Sequence, residues 1–137
     1  MILVIDDEKN GLWAIVEEIY EQKEQIKFFE NINLANTYLE GMTKEDIEET
    51  KMVILDIMMD TYENVLPDID TARGTKTGFY FLEKVLKIIP REKVIVVTNY
   101  NVQNELEDMS RRTGVDYYFK RDINKTREIE KVLKKFL

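Results

Sequence analysis

Short runs of uninterrupted apolar residues mark the strands of this chain. The three clearest runs span residues 1–5, 52–55 and 94–97, and Ile, Val or Leu is prominent in each. A strand that is covered on both faces lacks the alternation of a half-exposed strand. Two weaker runs, at 26–29 and 117–119, fit the same role. The pattern therefore predicts five strands, of which at least three are buried on both faces.

Helical periodicity fills the intervals between the predicted strands. Apolar residues recur every three or four positions, which places them on one face of a helix. The segments with this pattern are 12–19, 34–47, 79–89, 106–109 and 129–136. The second segment has a break near Gly41, Pro90 is expected to end the third, and Gly114 fits the position that follows the fourth.

The order of these elements is strand then helix, repeated five times. Such alternation predicts an α/β domain in which a parallel sheet carries helices on both faces, joined by right-handed crossovers. No linker divides residues 1–137, so we expect a single domain. Residues 60–77 are the exception, because they have no clear period. We call this segment the inserted loop, and loops of that length are usually functional or disordered.

Composition narrows the range of functions. The chain has no cysteine and no histidine, so thiol catalysis, an imidazole base and a phosphohistidine on this chain are excluded. The net charge of −7 argues against a nucleic-acid surface. No apolar run approaches the roughly 20 residues that cross a bilayer. We therefore expect a cytoplasmic protein that binds neither membranes nor nucleic acid.

Polar residues follow the predicted strands at the edge where open parallel sheets bind ligands. These residues are Asp6 and Asp7, then Asp56, then Thr98 and Asn99, then Lys120. Any one of them alone can simply mark the return of the chain to solvent. Together, however, clustered carboxylates need a proton or a cation, and oxygen ligands suit Mg²⁺. One carboxylate could then attack a phosphoryl group whose oxygens contact the hydroxyl and the ammonium.

These residues, taken as an ordered set, resemble the response-regulator receiver domain of two-component signalling. The set comprises Asp6-Asp7, Asp56 followed by Ile57-Met58-Met59, Thr98, and Lys120 after an aromatic strand. The resemblance covers essentially the whole chain. It implies a flavodoxin-like, doubly wound, five-stranded sheet of order 2-1-3-4-5. It also implies that Asp56 accepts a phosphoryl group from a phosphohistidine on a partner histidine kinase or phosphotransfer protein.

The resemblance also assigns roles within the site. It implies a Mg²⁺ site whose ligands are Asp7, Asp56, the carbonyl of Met58 and, mostly through water, Asp6. It implies that Thr98 and Lys120 bind the phosphoryl oxygens, and that Tyr117 is the switch aromatic that moves with Thr98. Asp56, Thr98 and Lys120 would thus carry the phosphorylation chemistry of a protein that turns over no external substrate.

The chain departs from the family pattern near the site. Asn99 stands where the family usually has a small residue, so we expect slower access to Asp56. Asp60 replaces a usual proline, and the stretch 56–78 is more than twice the usual length. The approach to the conserved lysine is one residue short, which makes Tyr118 an alternative switch aromatic.

Three functions therefore remain open. The first is a stand-alone receiver with no output domain, which signals through an unknown downstream protein, a homodimer or further phosphotransfer. The second is a pseudo-receiver, an interaction domain that phosphorylation does not switch. The third is a Mg²⁺-dependent phosphohydrolase, against which Met58 stands where such enzymes carry a second acid.

The inserted loop has three open roles: a lid, a partner-recognition element, or length that is merely tolerated. Four apolar residues are expected to pin it to the domain, namely Tyr62, Val65, Leu66 and Ile69. Two basic residues, Arg73 and Lys76, are placed to approach the acidic pocket.

Overall fold

A computed structural model describes residues 1–124 and 126–137, with the side chains of residues 9, 126 and 127 excepted. The strands are β1 (Ile2–Ile5), β2 (Ile26–Phe29), β3 (Met52–Leu55), β4 (Val94–Thr98) and β5 (Asp116–Phe119). The helices are α1 (Trp13–Glu21), α2 (Ile32–Glu40), α3 (Lys44–Glu49), α4 (Thr77–Leu86), α5 (Gln103–Thr113), α6 (Lys120–Ile123) and α7 (Thr126–Leu133). Two 3₁₀ turns, Lys9–Leu12 and Arg91–Lys93, precede α1 and β4.

The five strands form one parallel sheet in the order β2-β1-β3-β4-β5, as predicted. Residues of β1 and β3 are all buried, which explains why these strands read as continuous apolar runs. In the register of the sheet, Ile5 of β1 lies opposite Leu55 of β3. The residues that follow these two strands are therefore neighbours at the carboxyl edge.

Alternation along the strands builds two cores, one on each face of the sheet. Ile2 and Val4 pack with α1 and α7, whereas Leu3 and Ile5 pack with α2, α4 and α5. The largest fully buried side chain, Phe81 of α4, belongs to the second core. The doubly wound architecture is thus confirmed. No helix in the described parts of the chain is both long and apolar enough to span a membrane.

Some element boundaries differ from the sequence-based prediction. The segment 34–47 forms two helices, because the chain leaves α2 at Gly41 and Thr43 starts α3 with a reciprocal capping box to Asp46. Gly114 adopts a left-handed conformation (φ 77°) directly after α5, as predicted. The last helix ends at Leu133, three residues before the predicted end.

The inserted loop contains turns but no strand, and it folds back onto the domain. Its base is closed by a hydrogen bond of 3.0 Å from the Met59 amide to the Gly74 carbonyl. Val65 and Leu66 are buried in the core that α2, α4 and α5 cover, whereas Ile69 is 37% exposed. The prediction that apolar residues pin the loop therefore holds for Val65 and Leu66 and, in part, for Tyr62, which packs half-buried against the same core, but not for Ile69.

The start of α4 lies directly against the chain that leaves β3. The amide of Gly78 donates to the Ile57 carbonyl at 2.7 Å. A Cβ atom at position 78 would lie 2.2 Å from the Asp56 carbonyl oxygen, closer than any real contact. Only glycine fits this approach, so Gly78 lets α4 begin beside the candidate phosphoacceptor.

Candidate functional site

Asp56 follows β3 directly, and its carboxylate is held from two sides. Oδ1 accepts hydrogen bonds from the amides of Ile57 (2.7 Å) and Met58 (3.3 Å). Oδ2 accepts one from Nζ of Lys120 at 3.1 Å. Asp56 is only 3% exposed. Its carboxylate is therefore fixed in orientation at the floor of the carboxyl edge.

Lys120 begins α6 immediately after β5 and reaches across the end of β4 to the centre of the sheet. Its Nζ lies 2.9 Å from Oδ2 of Asp6 and 3.1 Å from Oδ2 of Asp56. Burial lowers the pKa of Lys120, but the two carboxylates outweigh it and raise the pKa overall. The lysine stem passes Gly11, where a Cβ would lie 3.3 Å from its Cδ. The ammonium thus stays charged between two buried acids.

Asp6 and Asp7 complete the acidic group, in different surroundings. Burial, together with the nearby Asp56 carboxylate, raises the pKa of Asp6 from 3.8 to about 6. The amide of Glu8 donates to its Oδ1 at 2.7 Å. Asp7 is exposed, and partial burial followed by repulsion from Asp56 raises its pKa as well. Both shifts mean that the site, as it stands, disfavours the negative charge of these carboxylates.

The three carboxylates form a candidate metal site. One oxygen each of Asp6, Asp7 and Asp56 lies within 4.8 Å of the others. Lys120 is the only ammonium paired with them in the described structure, so two negative charges remain uncompensated. Oxygen donors and that charge fit a hard divalent cation such as Mg²⁺. Met58 lines the same cavity, which keeps its carbonyl a predicted ligand.

A cavity of about 210 Å³ opens over this cluster. Its acidic side is lined by Asp7, Glu8, Asp56 and Asp60. The inserted loop contributes a wall, and Asn99, which is exposed, contributes another part of the rim. The space admits a group of phosphoryl size next to Asp56, and the role of Asn99 in access stays a prediction.

Thr98 is brought to the same edge but is not part of the cavity lining. It is fully buried, it does not line the cavity, and its Oγ1 accepts a hydrogen bond of 3.0 Å from the Tyr100 amide. A hydroxyl can accept from the Tyr100 amide and donate at the same time, so a contact with a phosphoryl group requires only that the Thr98 side chain reach the cavity, which it does not line. The structure thus gathers Asp6, Asp7, Asp56 and Lys120, and holds Thr98 in a different pairing.

A hydrogen-bonded group next to Thr98 was not foreseen from the sequence. The hydroxyl of Tyr100 donates to Glu105, and Nζ of Lys76 donates to the same carboxylate at 2.9 Å. Burial and the Glu105 contact raise the pKa of Tyr100 to about 12, and the bonds from Tyr100 and Lys76 lower that of Glu105. Lys76 thus joins the end of the inserted loop to α5, instead of approaching the acidic pocket. The sequence feature that could have indicated this group is Tyr100, an aromatic residue two positions after Thr98.

Tyr117, the predicted switch aromatic, shares a sheet face with Thr98. Alternation along the strands places both on the side covered by α5, whereas Tyr118 packs on the opposite side. Tyr117 is partly buried and meets Phe119 edge to face, with ring centroids 5.9 Å apart. The residue directly opposite Thr98 in the sheet is Phe119. The shared face favours Tyr117 over Tyr118, and the switch itself stays a prediction.

No family model and no curated protein matches the sequence. Solved structures do match. A response regulator from Thermotoga maritima aligns with a TM-score of 0.66 at 16% identity, over 98% of this chain and 95% of that one. A CheY-like receiver domain protein from Methanospirillum hungatei JF-1 aligns with a TM-score of 0.63 at 21% identity, over 98% and 91%.

A third similar structure is a response regulator from Burkholderia pseudomallei with a phosphorylated aspartic acid, a calcium ion and citrate. It aligns with a TM-score of 0.65 at 14% identity, over 99% of this chain and 65% of that one. Identities this low establish the fold and not the activity. The chain has the fold of response regulator receiver domains, which confirms the fold that the resemblance implied.

Proposed function

We propose that this chain is a phosphorylation-controlled signalling module that accepts a phosphoryl group on Asp56. The donor is a phosphohistidine on a partner histidine kinase or phosphotransfer protein, and Mg²⁺ is required. The observation that carries the proposal is the buried Lys120 ammonium, which bridges Asp6 and Asp56 beneath a cavity of phosphoryl size. The receiver fold supports the same class of function.

Asp56 is suited to act as a nucleophile. A carboxylate oxygen forms a bond to phosphorus while the bond from phosphorus to the donor imidazole nitrogen breaks. The electron pair of that bond stays on the imidazole, which takes up a proton, and Asp56 becomes an acyl phosphate. The amides of Ile57 and Met58 hold the carboxylate in orientation, and Lys120 offsets charge on the phosphoryl oxygens.

Asp6, Asp7 and Asp56 are the residues that would hold Mg²⁺, with the Met58 carbonyl as a further ligand. When bound, the ion supplies positive charge beside the phosphoryl oxygens. Bound Mg²⁺ would also offset the unfavourable charge of these acids, since burial, followed by repulsion from Asp56, raises the pKa of both Asp6 and Asp7. Asn99 at the rim restricts the approach of a donor to Asp56.

Phosphorylation is coupled to the surface through Thr98. In this proposal the Thr98 side chain moves toward the cavity so that its hydroxyl donates to a phosphoryl oxygen, and Tyr117 fills the space that this movement opens. The Tyr100 contact to Glu105 links the same movement to α5. Two packings of one structure are then in equilibrium, and the phosphoryl group shifts their populations. The altered surface binds a downstream protein or a second copy of the chain.

Turnover of an external substrate is not part of this proposal. A phosphohydrolase of this type needs a second acid two residues after the nucleophile, and Met58 occupies that position, 38% exposed. A pseudo-receiver would leave Asp56 unmodified. The proposal includes a cytoplasmic location, as expected from the sequence. The chain must share a compartment with the phosphohistidine donor, which has to reach this cavity.

Intact-mass measurement after incubation with Mg²⁺ and acetyl phosphate tests the proposal. Wild type should gain the mass of one phosphoryl group, and Asp56→Asn or an excess of EDTA should abolish the gain. The matched control is Asp116→Asn, which removes an exposed acid at the start of β5, the far end of that strand. No gain in wild type, or an undiminished gain in Asp56→Asn, would contradict the proposal; continuous hydrolysis of many phosphate esters would favour the phosphohydrolase.

A further inference from the structure

The inserted loop supplies one wall of the cavity over Asp56. Its contribution comes from the two ends of the loop and the residue that precedes it, and the residues concerned are Met59, Asp60, Arg73, Gly74 and Thr75. Asp7 and Glu8 at the β1 edge, Asp56 and Lys120 also line the cavity. A group bound in the cavity therefore lies next to both Asp56 and this loop.

This wall is fixed by hydrogen bonds and by buried side chains. The Met59 amide donates to the Gly74 carbonyl at 3.0 Å, and the Thr77 hydroxyl donates to the Met59 carbonyl at 2.5 Å. The hydroxyls of Thr61 and Thr71 are in contact beneath the turn. Val65 is buried as well, so both hydrogen bonds and core packing hold the loop against the domain.

The turn that carries Arg73 is constrained. Ala72, Arg73 and Gly74 all have positive φ, at 53°, 59° and 89°. The left-handed region is unfavourable for residues with a Cβ, and such conformations persist only where the surroundings impose them. A Cβ at position 74 would lie 2.6 Å from the Met59 carbonyl oxygen, so the turn packs directly on the segment after β3. Arg73 is thereby held at the cavity.

The charge at the cavity shows what Arg73 can bind. The basic side chains among the lining residues are Arg73 and Lys120. Lys120 is already paired with Asp6 and Asp56. Arg73 is exposed and forms no ion pair with any residue in the described structure, although Asp60 lines the same cavity. Its guanidinium is therefore available to an incoming anion.

We propose that Arg73 of the inserted loop binds the phosphoryl group of the incoming donor and positions it for attack by Asp56. This inference rests on the proposed function of Asp56. A guanidinium presents paired N–H donors that match two phosphoryl oxygens, which an ammonium cannot reproduce. The inserted loop is accordingly a recognition element for the phosphoryl group, one that a domain with a short connection lacks.

Rates of phosphorylation by acetyl phosphate, followed by intact mass at saturating Mg²⁺ and over a range of donor concentrations, test this role. Arg73→Gln should lower the rate at limiting donor by about fivefold, as expected for a partly exposed ionic contact. Arg73→Lys should recover part of the loss, because it keeps the charge but not the paired geometry. Lys87→Gln is the matched control, since it removes an exposed positive charge at the far end of α4.

A second measurement separates anion binding from general damage. Because Arg73→Gln removes a positive charge near the carboxylates, it should bind Mg²⁺ at least as tightly as wild type in a calorimetric titration. A wild-type rate in Arg73→Gln, an equal loss in Lys87→Gln, or weaker Mg²⁺ binding in Arg73→Gln would each overturn the inference. If wild type itself gains no phosphoryl group, it is the proposed function that fails.

Discussion

Asp6 is the site residue whose ionisation most directly lowers the stability of the fold. Its carboxylate is 3% exposed and lies beside a second buried acid, and its pKa of about 6 exceeds the ordinary 3.8. An acid whose pKa is raised on folding binds its proton more tightly in the folded state. This preference stabilises the folded protein fully at pH values below the unfolded pKa, and the stabilisation is lost as the pH rises through the folded pKa. Ionised Asp6 therefore destabilises the metal-free protein at neutral pH.

Asp6→Asn removes this ionisation while it preserves the shape of the side chain. We expect the free energy of unfolding of the metal-free variant, relative to wild type, to increase by about 2 kcal/mol between about pH 4.5 and pH 7. Urea unfolding in EDTA at the two pH values measures the difference, and Asp116→Asn controls for loss of a surface acid. If the stability of Asp6→Asn relative to wild type stays constant or falls between the two pH values, ionised Asp6 does not destabilise the protein.

At the scale of elements, the position of α4 depends on a close approach at its first turn. Alanine normally stabilises a helix relative to glycine. At position 78, however, a Cβ would meet the Asp56 carbonyl oxygen at 2.2 Å, whereas at position 41 the nearest backbone atom would lie at 3.6 Å, an ordinary contact. The same substitution should therefore have opposite effects at the two positions.

We expect Gly78→Ala to lower the free energy of unfolding by about 1–3 kcal/mol, because the helix must shift away from β3. Gly41→Ala, the matched control, should be neutral or slightly stabilising. Denaturant unfolding of both variants provides the comparison. Equal stability of Gly78→Ala and wild type would mean that α4 does not press on the Asp56 backbone.

The segment between β4 and α5 is expected to transmit the structural effect of phosphorylation from Asp56 to α5. Thr98 holds the Tyr100 amide, and Tyr100 in turn holds Glu105 in the first turn of α5. Phosphorylation of wild type should shift the amide resonances of residues 101–109. Thr98→Ala should still accept the phosphoryl group but lose most of these shifts, because it lacks the hydroxyl that would donate to the phosphoryl oxygen.

Thr37→Ala is the control for this experiment. Its hydroxyl donates to the Asn33 carbonyl on the exposed side of α2, and neither residue lines the cavity, so the shifts over 101–109 should match wild type. Full shifts in phosphorylated Thr98→Ala would contradict the coupling. So would unchanged resonances in phosphorylated wild type.

For the molecule as a whole, the order of the strands creates the site. Because β1 and β3 are adjacent and in register, Asp6 and Asp56 must meet at the carboxyl edge. Lys120 follows β5 and reaches them past β4, which only a long side chain can do. The ends of three strands, β1, β3 and β5, thus contribute charged groups to a site that no single element could form.

This architecture explains what the sequence could predict. Strands buried on both faces leave continuous apolar runs, and the helices leave a clear period, so the sheet order and the convergence of Asp6, Asp56 and Lys120 followed from pattern and resemblance. The partners of Thr98 and Lys76 did not follow. Their bonds to the Tyr100 amide and to Glu105 depend on how irregular segments pack, and such segments have no period to read.

The inserted loop marks the same limit. Burial of Val65 and Leu66 was expected from their apolar side chains, but the turn at 72–74 places its residues in conformations that only the folded contacts impose. The placement of Arg73 on the cavity wall depends on that turn. The sequence alone could not predict this placement, because it does not reveal the conformation of the turn.

Chemical trapping shows whether Asp56 becomes an acyl phosphate. Borohydride reduces an acyl phosphate to the alcohol, so the site of modification is read from peptide masses after digestion. After incubation with Mg²⁺ and acetyl phosphate, the account predicts a reduced residue at position 56, absent when Mg²⁺ is withheld. Reduction at Asp6 or Asp7 instead, or at no residue in phosphodonor-treated protein, would contradict it.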